Sequence, residues 1–320
     1  MSTSTLTLNF GAVKMAWGRI GIVATFVVFI GTIATIEPQF LSRGNLMDVV
    51  TVACIYLLIS FGETFVIGAG GVDLSVGHIS GFSALVASLL MSSVGLPVWI
   101  AVLLGMLTGF LLGTINGFIV GWLGVDSFVT TLSTMFLITG TKYWMTGGMS
   151  VMYLPGAFLN LGRGTFLNVP FLFYILLAGF VFSYLVFSRL RSGRNMYMTG
   201  GNILASYLSG ISVRYYTLLA FILSGILSSI TGILLAARAG HTNITLGEGL
   251  LLDAFAMSLL GGVLAGGRAS ITGTLVGGFF LMMTINGLNM LGVNPAAESL
   301  IKGVLLMILV IFSIGSKKRR

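Results

Sequence analysis

The chain has 320 residues, of which 56% are hydrophobic and only 8% are charged. A soluble globular domain carries about a quarter charged residues, so this chain cannot cover a water-facing surface and most of its exterior must face a lipid bilayer. The net charge of +8 does not indicate nucleic acid, because the basic residues lie mostly at the ends of apolar runs, as expected for membrane loops.

Ten candidate spans follow one another along the chain. A membrane-spanning helix needs roughly 20 apolar residues. Apolar runs lie at about 20–36, 47–67, 79–91, 97–120, 128–145, 169–187, 216–237, 250–260, 271–290 and 300–314, of which the eighth is short. A polar loop separates the fifth and sixth spans at 147–168, and glycine-rich breaks lie at 68–77 and 261–267. The sequence therefore predicts an all-α polytopic membrane protein with about ten transmembrane helices.

The placement of lysine and arginine predicts the orientation in the membrane. Basic residues concentrate in the N-terminal segment, in the loop 188–214 and in the tail 317–320. Ten spans would place these three regions on one side, which the positive-inside rule makes cytoplasmic. We therefore expect both termini on the cytoplasmic side of the membrane.

Two sequence patterns bear on how the helices are arranged. The tetrapeptide Thr-Ile-Asn-Gly occurs at 114–117 and again at 284–287, and Leu-Gly-Val follows at 123–125 and 291–293. An offset of five spans makes such repeats inverted, as in many transporters. We expect one transmembrane domain over 1–320, in halves of about 18–145 and 169–315, with broken helices near the midplane.

A glycine ridge runs along the fourth span. Glycines recurring every four residues form one helix face that lets another helix pack backbone to backbone. The pattern predicts tight packing, and a sliding surface for a conformational change is the alternative. Its members are Gly105, Gly109, Gly113, Gly117 and Gly121.

Polar and ionisable side chains within the spans are candidates for a substrate path or gate, because they are unfavourable in lipid. Asp73, in the first glycine-rich break, is also a candidate N-cap of the next helix. Arg238 and Lys302 lie near span ends, where we expect them to extend towards the membrane surface. The candidate path residues are Glu63, Thr64, Asp73, Ser75, Asn116, Asp253, Asn286 and Asn289.

The sequence gives no indication of an enzyme. It lacks the phosphate-binding pattern of Walker-type nucleotide sites, so we expect no ATP site on this chain. Cys54 is the single cysteine, and the histidines His78 and His241 are far apart, so we expect no metal site. No catalytic residue and no cofactor are predicted.

Three motifs in order give the chain a family resemblance. The first is Thr-Phe-Val-Ile at 64–67 leading into Gly-Gly-Val-Asp-Leu-Ser-Val-Gly at 70–77. The second is Gly-Arg-Asn-Met-Tyr at 193–197 with Gly-Gly-Asn at 200–202, and the third joins Leu-Asp-Ala at 252–254 to Gly-Thr at 273–274. The chain resembles the permeases of ribose/xylose/galactose-type ABC sugar importers, whose relatives include autoinducer and branched-chain amino-acid permeases.

The resemblance implies a function and a set of partners. It implies ATP-driven import of a monosaccharide, a ribose-type pentose or a hexose, that a periplasmic binding protein delivers. It also implies a second permease subunit, identical or paralogous, and a cytoplasmic ABC ATPase that carries the ATP and magnesium. An ABC permease for a nucleoside or amino acid is an alternative. Another is a secondary carrier driven by an ion gradient, for which Glu63 and Asp73 would be the candidate ion sites.

The loop 188–214 is the predicted docking site for the ATPase. Asn202 is placed to cap a short helix from Ile203 to Ser209, which Gly210 would end. An apolar face on that helix predicts a coupling helix, and a helix lying on the membrane surface is the alternative. The predicted coupling residues are Gly201, Asn202, Ala205, Leu208, Ser209, Gly210 and Ile211.

Overall fold

The computed structural model describes residues 24, 26–294, 296–297, 300–304 and 307. Within them the protein is almost entirely helical. The helices are α1 (Phe26–Ile36), α2 (Arg43–Gly68), α3 (Val76–Ser92), α4 (Val98–Gly121), α5 (Ser127–Thr146), α6 (Gly156–Arg163), α7 (Phe171–Tyr184), α8 (Arg191–Gly201), α9 (Ile203–Leu208), α10 (Val213–Ala239), α11 (Leu250–Leu264) and α12 (Ile271–Met290). A 3-10 turn (Pro38–Leu41) precedes α2, a π turn (Leu185–Arg189) extends α7, and strands β1 (Thr165–Phe166) and β2 (Val169–Pro170) form an antiparallel hairpin.

The helices confirm an all-α polytopic membrane protein. Among the described residues, five helices are long and apolar enough to cross a membrane, namely α2, α4, α7 with its extension, α10 and α12. The helices α1, α3 and α11 are apolar but shorter, and α5 has 20 residues with more polar side chains. The second to ninth predicted spans each coincide with one of these helices. The first, 20–36, lies partly outside the described residues and ends with α1, and the tenth, 300–314, lies mostly outside them.

Two details of the predicted organisation are wrong. The segment 147–168 is not only a loop, because it contains α6 and most of the β1–β2 hairpin. The second glycine-rich break begins later than expected, because α11 continues to Leu264 and the non-helical part covers 265–270. Both errors arise where glycine and polar residues occur inside elements that packing stabilises.

Helices α2 and α10 form the centre of the bundle. Helix α10 packs against α2, α3 and α4, and α2 packs against α10, α11 and α12. The glycine ridge of α4 lies mainly on α10. A Cβ atom placed on Gly117 would lie 2.8 Å from Leu218 Cα, and one on Gly121 would lie 2.8 Å from the Arg214 carbonyl oxygen. The two helices therefore meet backbone to backbone.

Two non-helical breaks enter the bundle from opposite ends. We call the end that carries α8 and α9 the α8–α9 face, and the end that carries α6 and the hairpin the α6 face. The first break, 69–75, packs on α8, where a Cβ atom on Gly70 would lie 2.8 Å from Gly200 Cα. The second break, 240–249, pairs with the segment before α6 through the bridge between Val151 and Thr242.

The two breaks lead into the two short helices α3 and α11. Val76 in the first turn of α3 and Leu250 in the first turn of α11 belong to one apolar cluster, which also contains Ile59 and Ala254. The first turns of both helices therefore lie close together inside the bundle.

Candidate functional site

A chain of hydrogen bonds surrounds the first break. Asp73 is fully buried, and its Oδ1 accepts hydrogen bonds from the Ser75 amide at 3.0 Å and the Ser75 hydroxyl at 2.6 Å. Its Oδ2 accepts one from the Ser224 hydroxyl of α10 at 3.1 Å. The Asp73 amide donates to Glu63 Oε1 of α2 at 3.4 Å. The carboxylate of Asp73 thus ties the break to α10, and its main chain ties it to α2.

The same chain of bonds continues into α4 and α5. Asn116 donates from Nδ2 to the Ser75 hydroxyl at 2.9 Å, and its Oδ1 accepts from the Thr134 hydroxyl at 2.6 Å. These side chains are all buried. The sequence-predicted residues Glu63, Asp73, Ser75 and Asn116 therefore lie in one connected cluster, which we call the Asp73 network.

The main chain of the break is held by the start of α5. The Val72 amide donates to the Ser127 hydroxyl at 3.1 Å, and the Leu74 amide donates to the Thr131 hydroxyl at 3.0 Å. Amides that a continuous helix would satisfy internally are thus satisfied by side chains, as irregular backbone inside a membrane protein requires.

The predicted cap position is wrong by two residues. Ser75, not Asp73, occupies the N-cap of α3. Residues 74 and 75 form a turn before the helix begins, so the Asp73 carboxylate meets the amide of Ser75 instead of an amide within α3. Asp73 therefore stabilises the turn that leads into the helix.

A second buried cluster consists of hydroxyl groups. Thr64 of α2 lies 2.5 Å from the Ser258 hydroxyl of α11 and 2.8 Å from the Thr274 hydroxyl of α12. Its own hydroxyl also donates to the Ser60 carbonyl at 2.7 Å. Thr64 is therefore a junction between α2, α11 and α12, separate from its neighbour Glu63.

The remaining sequence-predicted residues are spread elsewhere. Asp253 of α11 forms an ion pair with Lys302, with Nζ 2.9 Å from Oδ1, so the expectation that Lys302 extends to the membrane surface is wrong. This ion pair brings Lys302 beside α11. Asn286 exchanges two hydrogen bonds of 2.9 Å with Asn45 at the start of α2, and Asn289 is exposed.

Sequence reasoning missed a further charged cluster. Lys142 of α5 is fully buried, its Nζ donates to the Ile244 carbonyl, and it lies 3.6 Å from Glu248 Oε1. His78 of α3 reaches the same carboxylate oxygen at 3.9 Å. The signal was present, because Lys142 is an ionisable residue inside the predicted fifth span. No group of three His, Cys, Asp or Glu suited to a metal ion occurs among the residues placed in the structure.

The predicted coupling segment forms two short helices. The Asn202 side chain accepts a hydrogen bond from the Ala205 amide at 2.9 Å, which is the N-cap contact expected for α9. Gly210 follows the helix with a φ of 77°, a left-handed conformation that glycine adopts without strain. Leu204, Tyr207 and Leu208 are 68%, 70% and 75% exposed. Helix α9 thus presents a row of apolar side chains outward.

Comparison with known proteins identifies the family. Residues 45–310 match the family described as branched-chain amino acid transport system / permease component. The chain belongs to this family of ABC importer permeases.

Individual relatives are similar over most of their length. The chain is 37% identical to the ribose import permease protein RbsC of Bacillus subtilis, over 87% of each chain. It is 30% identical to the D-allose transport system permease protein AlsC of Escherichia coli, over 91% of this chain and 90% of the relative. It is also 30% identical to the L-arabinose permease protein AraH of Azospirillum brasilense, over 97% and 91%. No solved structure matches the chain.

Proposed function

We propose that this chain is the membrane-spanning subunit of an ATP-driven importer for a monosaccharide, a ribose-type pentose or a hexose. The observation that carries the proposal is α9, a capped helix with three large apolar side chains directed away from the bundle. Such a surface is unfavourable in water and calls for a partner. A separate cytoplasmic ATPase, which binds the ATP and magnesium, is the partner we assign to it.

The distribution of charge supports the orientation of the molecule. The α8–α9 face carries Arg189, Arg191, Arg194 and Arg214, close to or within the segments that flank α9. The positive-inside rule makes this face cytoplasmic. The α6 face is then periplasmic, where a sugar-binding protein docks, and the membrane is the inner membrane of a bacterium.

The helix contacts support two inverted repeats of five helices. Helix α10 packs against α3 and α4 as α2 packs against α11 and α12, and each of the central helices is followed by a break and a short helix. The breaks enter from opposite faces, as inverted repeats require. Corresponding interrupted segments in two halves mark the substrate region of many transporters. We infer a sugar path beside the meeting point of α3 and α11, completed by a second permease subunit.

The Asp73 network is suited to gating. The first break contacts α8 through Gly70 and Gly200. If the ATPase displaces α8, the break that carries Asp73 would therefore move with it. The earlier expectation that Glu63, Thr64, Asp73, Ser75, Asn116, Asp253, Asn286 and Asn289 line a substrate path or gate stays a prediction. The buried contacts of the first five favour a gate over direct contact with sugar.

Reconstituted uptake tests the proposal. The chain would be placed in proteoliposomes with its ATPase and its periplasmic binding protein, and uptake of radiolabelled ribose, arabinose, allose and glucose would be measured. We expect ATP-dependent uptake of at least one monosaccharide, lost when either partner is omitted. A nucleoside and a branched-chain amino acid would be included as competing substrates.

Two outcomes would overturn the proposal. Uptake by the chain alone, driven by an imposed proton or sodium gradient, would identify a secondary carrier. Glu63 and Asp73 would then be the candidate ion sites. ATP-dependent uptake of only the nucleoside or the amino acid would support an ATP-driven importer but contradict a monosaccharide as its substrate.

A further inference from the structure

The second break carries a charged residue, Glu248, away from the two ends of the bundle. Helix α10 has 27 residues and is therefore about 40 Å long. The backbone of Gly232 in α10 packs against Ser80 of α3, and a Cβ atom on Gly77, one turn earlier in α3, would meet the Gly247 carbonyl. Glu248 thus lies closer to the middle of α10 than to its end. The turns from 244 to 249 are non-helical backbone at membrane depth.

Glu248 is not enclosed at this depth. Its side chain is 39% exposed, unlike the buried carboxylate of Asp73. A charged side chain at membrane depth faces the interior of a bundle or a water-filled cavity, not lipid. Irregular backbone obeys the same restriction. The surface beside Glu248 is therefore a place for water or for a polar solute.

Two further groups hold the carboxylate in place. Lys142 Nζ lies 3.6 Å from Glu248 Oε1 and is anchored by the Ile244 carbonyl of the same break. His78 Nε2 lies 3.9 Å from that oxygen. His78 is 8% exposed, and its Nδ1 has no hydrogen-bond partner within the described part of the chain. The cluster therefore offers a carboxylate acceptor at a fixed position.

We propose that Glu248, held by Lys142 and His78, lies in the water-filled translocation path and accepts hydrogen bonds from the hydroxyl groups of the passing sugar. A carboxylate oxygen is a strong acceptor for hydroxyl donors, and pairing with Lys142 leaves acceptor positions open. The proposal rests on the function proposed above and names a solute-contacting residue for it. A neutral polyol is the ligand class, since the cluster already contains its own opposite charge.

Cysteine labelling tests whether Glu248 is reached by water. Cys54 is the only cysteine and is buried, so Cys54→Ala gives a cysteine-free chain in which Glu248→Cys is introduced. A membrane-impermeant thiosulfonate would be added from the binding-protein side of proteoliposomes. We expect labelling of Glu248→Cys, slowed by sugar-loaded binding protein. Leu177→Cys is the matched control, because Leu177 is 49% exposed on the strongly apolar α7 and should face lipid.

The outcomes separate the two proposals. If the Cys54→Ala chain shows no ATP-dependent sugar uptake with its partners, the function proposed above fails. If that chain imports sugar but Glu248→Cys stays unlabelled or is labelled no faster than Leu177→Cys, the path inference fails. Thr245→Cys, at an exposed position in the same break, serves if Glu248→Cys does not fold. In otherwise unmodified protein, Glu248→Gln should lower the uptake rate at least tenfold, and an unchanged rate would also contradict the inference.

Discussion

Gly200 of α8 and Gly70 of the first break touch through their main chains. A Cβ atom on Gly200 would lie 2.6 Å from the Gly70 amide nitrogen and 2.8 Å from the Ala69 carbonyl carbon. Gly70 has a φ of 87°, which disfavours any other residue there. The contact joins the segment proposed to dock the ATPase to the break that carries Asp73.

Replacing Gly200 by alanine should therefore disturb both segments. We expect Gly200→Ala to lower the free energy of unfolding by about 1–3 kcal/mol, because the added methyl group overlaps main-chain atoms that cannot move independently. Thermal unfolding of the purified permease measures this. Gly201→Ala is the matched control, since a Cβ atom at Gly201 meets nothing within 4 Å. Equal stability of the two variants would refute the contact.

The glycine ridge gives a second steric prediction. Gly117→Val should lower the free energy of unfolding by about 1–3 kcal/mol, because its Cβ would lie 2.8 Å from Leu218 Cα. Gly140→Val in α5 is the control, because a Cβ atom at Gly140 would meet nothing within 4 Å. Thermal unfolding in detergent should separate the two variants. A Gly140→Val chain as unstable as Gly117→Val would point to helix propensity instead of packing.

Asp73 gives a prediction about polar contacts. Asp73→Ala removes the acceptors of Ser75 and Ser224, and a buried donor without an acceptor destabilises by about 1–3 kcal/mol. Asp73→Asn keeps one oxygen that can accept from the Ser75 amide, so it should lower the free energy of unfolding by less than Asp73→Ala. Unfolding temperature and ATP-driven uptake would both be measured. An alanine variant as stable and active as the asparagine variant would show that the network contributes nothing.

The pair between Asp253 and Lys302 can be measured by a double-mutant cycle. Lys302→Met should lower the free energy of unfolding by about 2 kcal/mol, because it leaves the Asp253 carboxylate buried without its cation. Asp253→Asn combined with Lys302→Met should be more stable than Lys302→Met alone. Additive losses in the double variant would contradict a direct interaction.

The positions of the helices were predictable because membrane spans depend on apolar length alone. Helix α12 spans the predicted residues, and the cap of α9 follows from one asparagine and one glycine. The starts of α3 and α11 are harder to predict from the sequence. Their first turns are stabilised by contact with each other and with buried polar side chains, and not by local sequence.

The site is less predictable because its hydrogen-bonded and ion-paired residues are distant from one another in the sequence. Asn286 pairs with Asn45, 241 residues away, and Lys302 pairs with Asp253 instead of reaching the membrane surface. Lys142 lies among the threonines of the fifth span, and only the fold brings Glu248 to it. Pairings of this kind are set by packing between helices, which composition and periodicity do not encode.

The most direct test of the central claim is docking of the ATPase to α9. Leu208→Arg would be compared with Leu167→Arg. Leu167 lies on the hairpin at the opposite face and is 77% exposed, against 75% for Leu208. Both variants would be co-purified with the ATPase and assayed for ATP-driven sugar uptake. We predict that Leu208→Arg keeps its fold but loses the ATPase and uptake, while Leu167→Arg retains the ATPase. Full ATPase binding and uptake by folded Leu208→Arg would contradict the account.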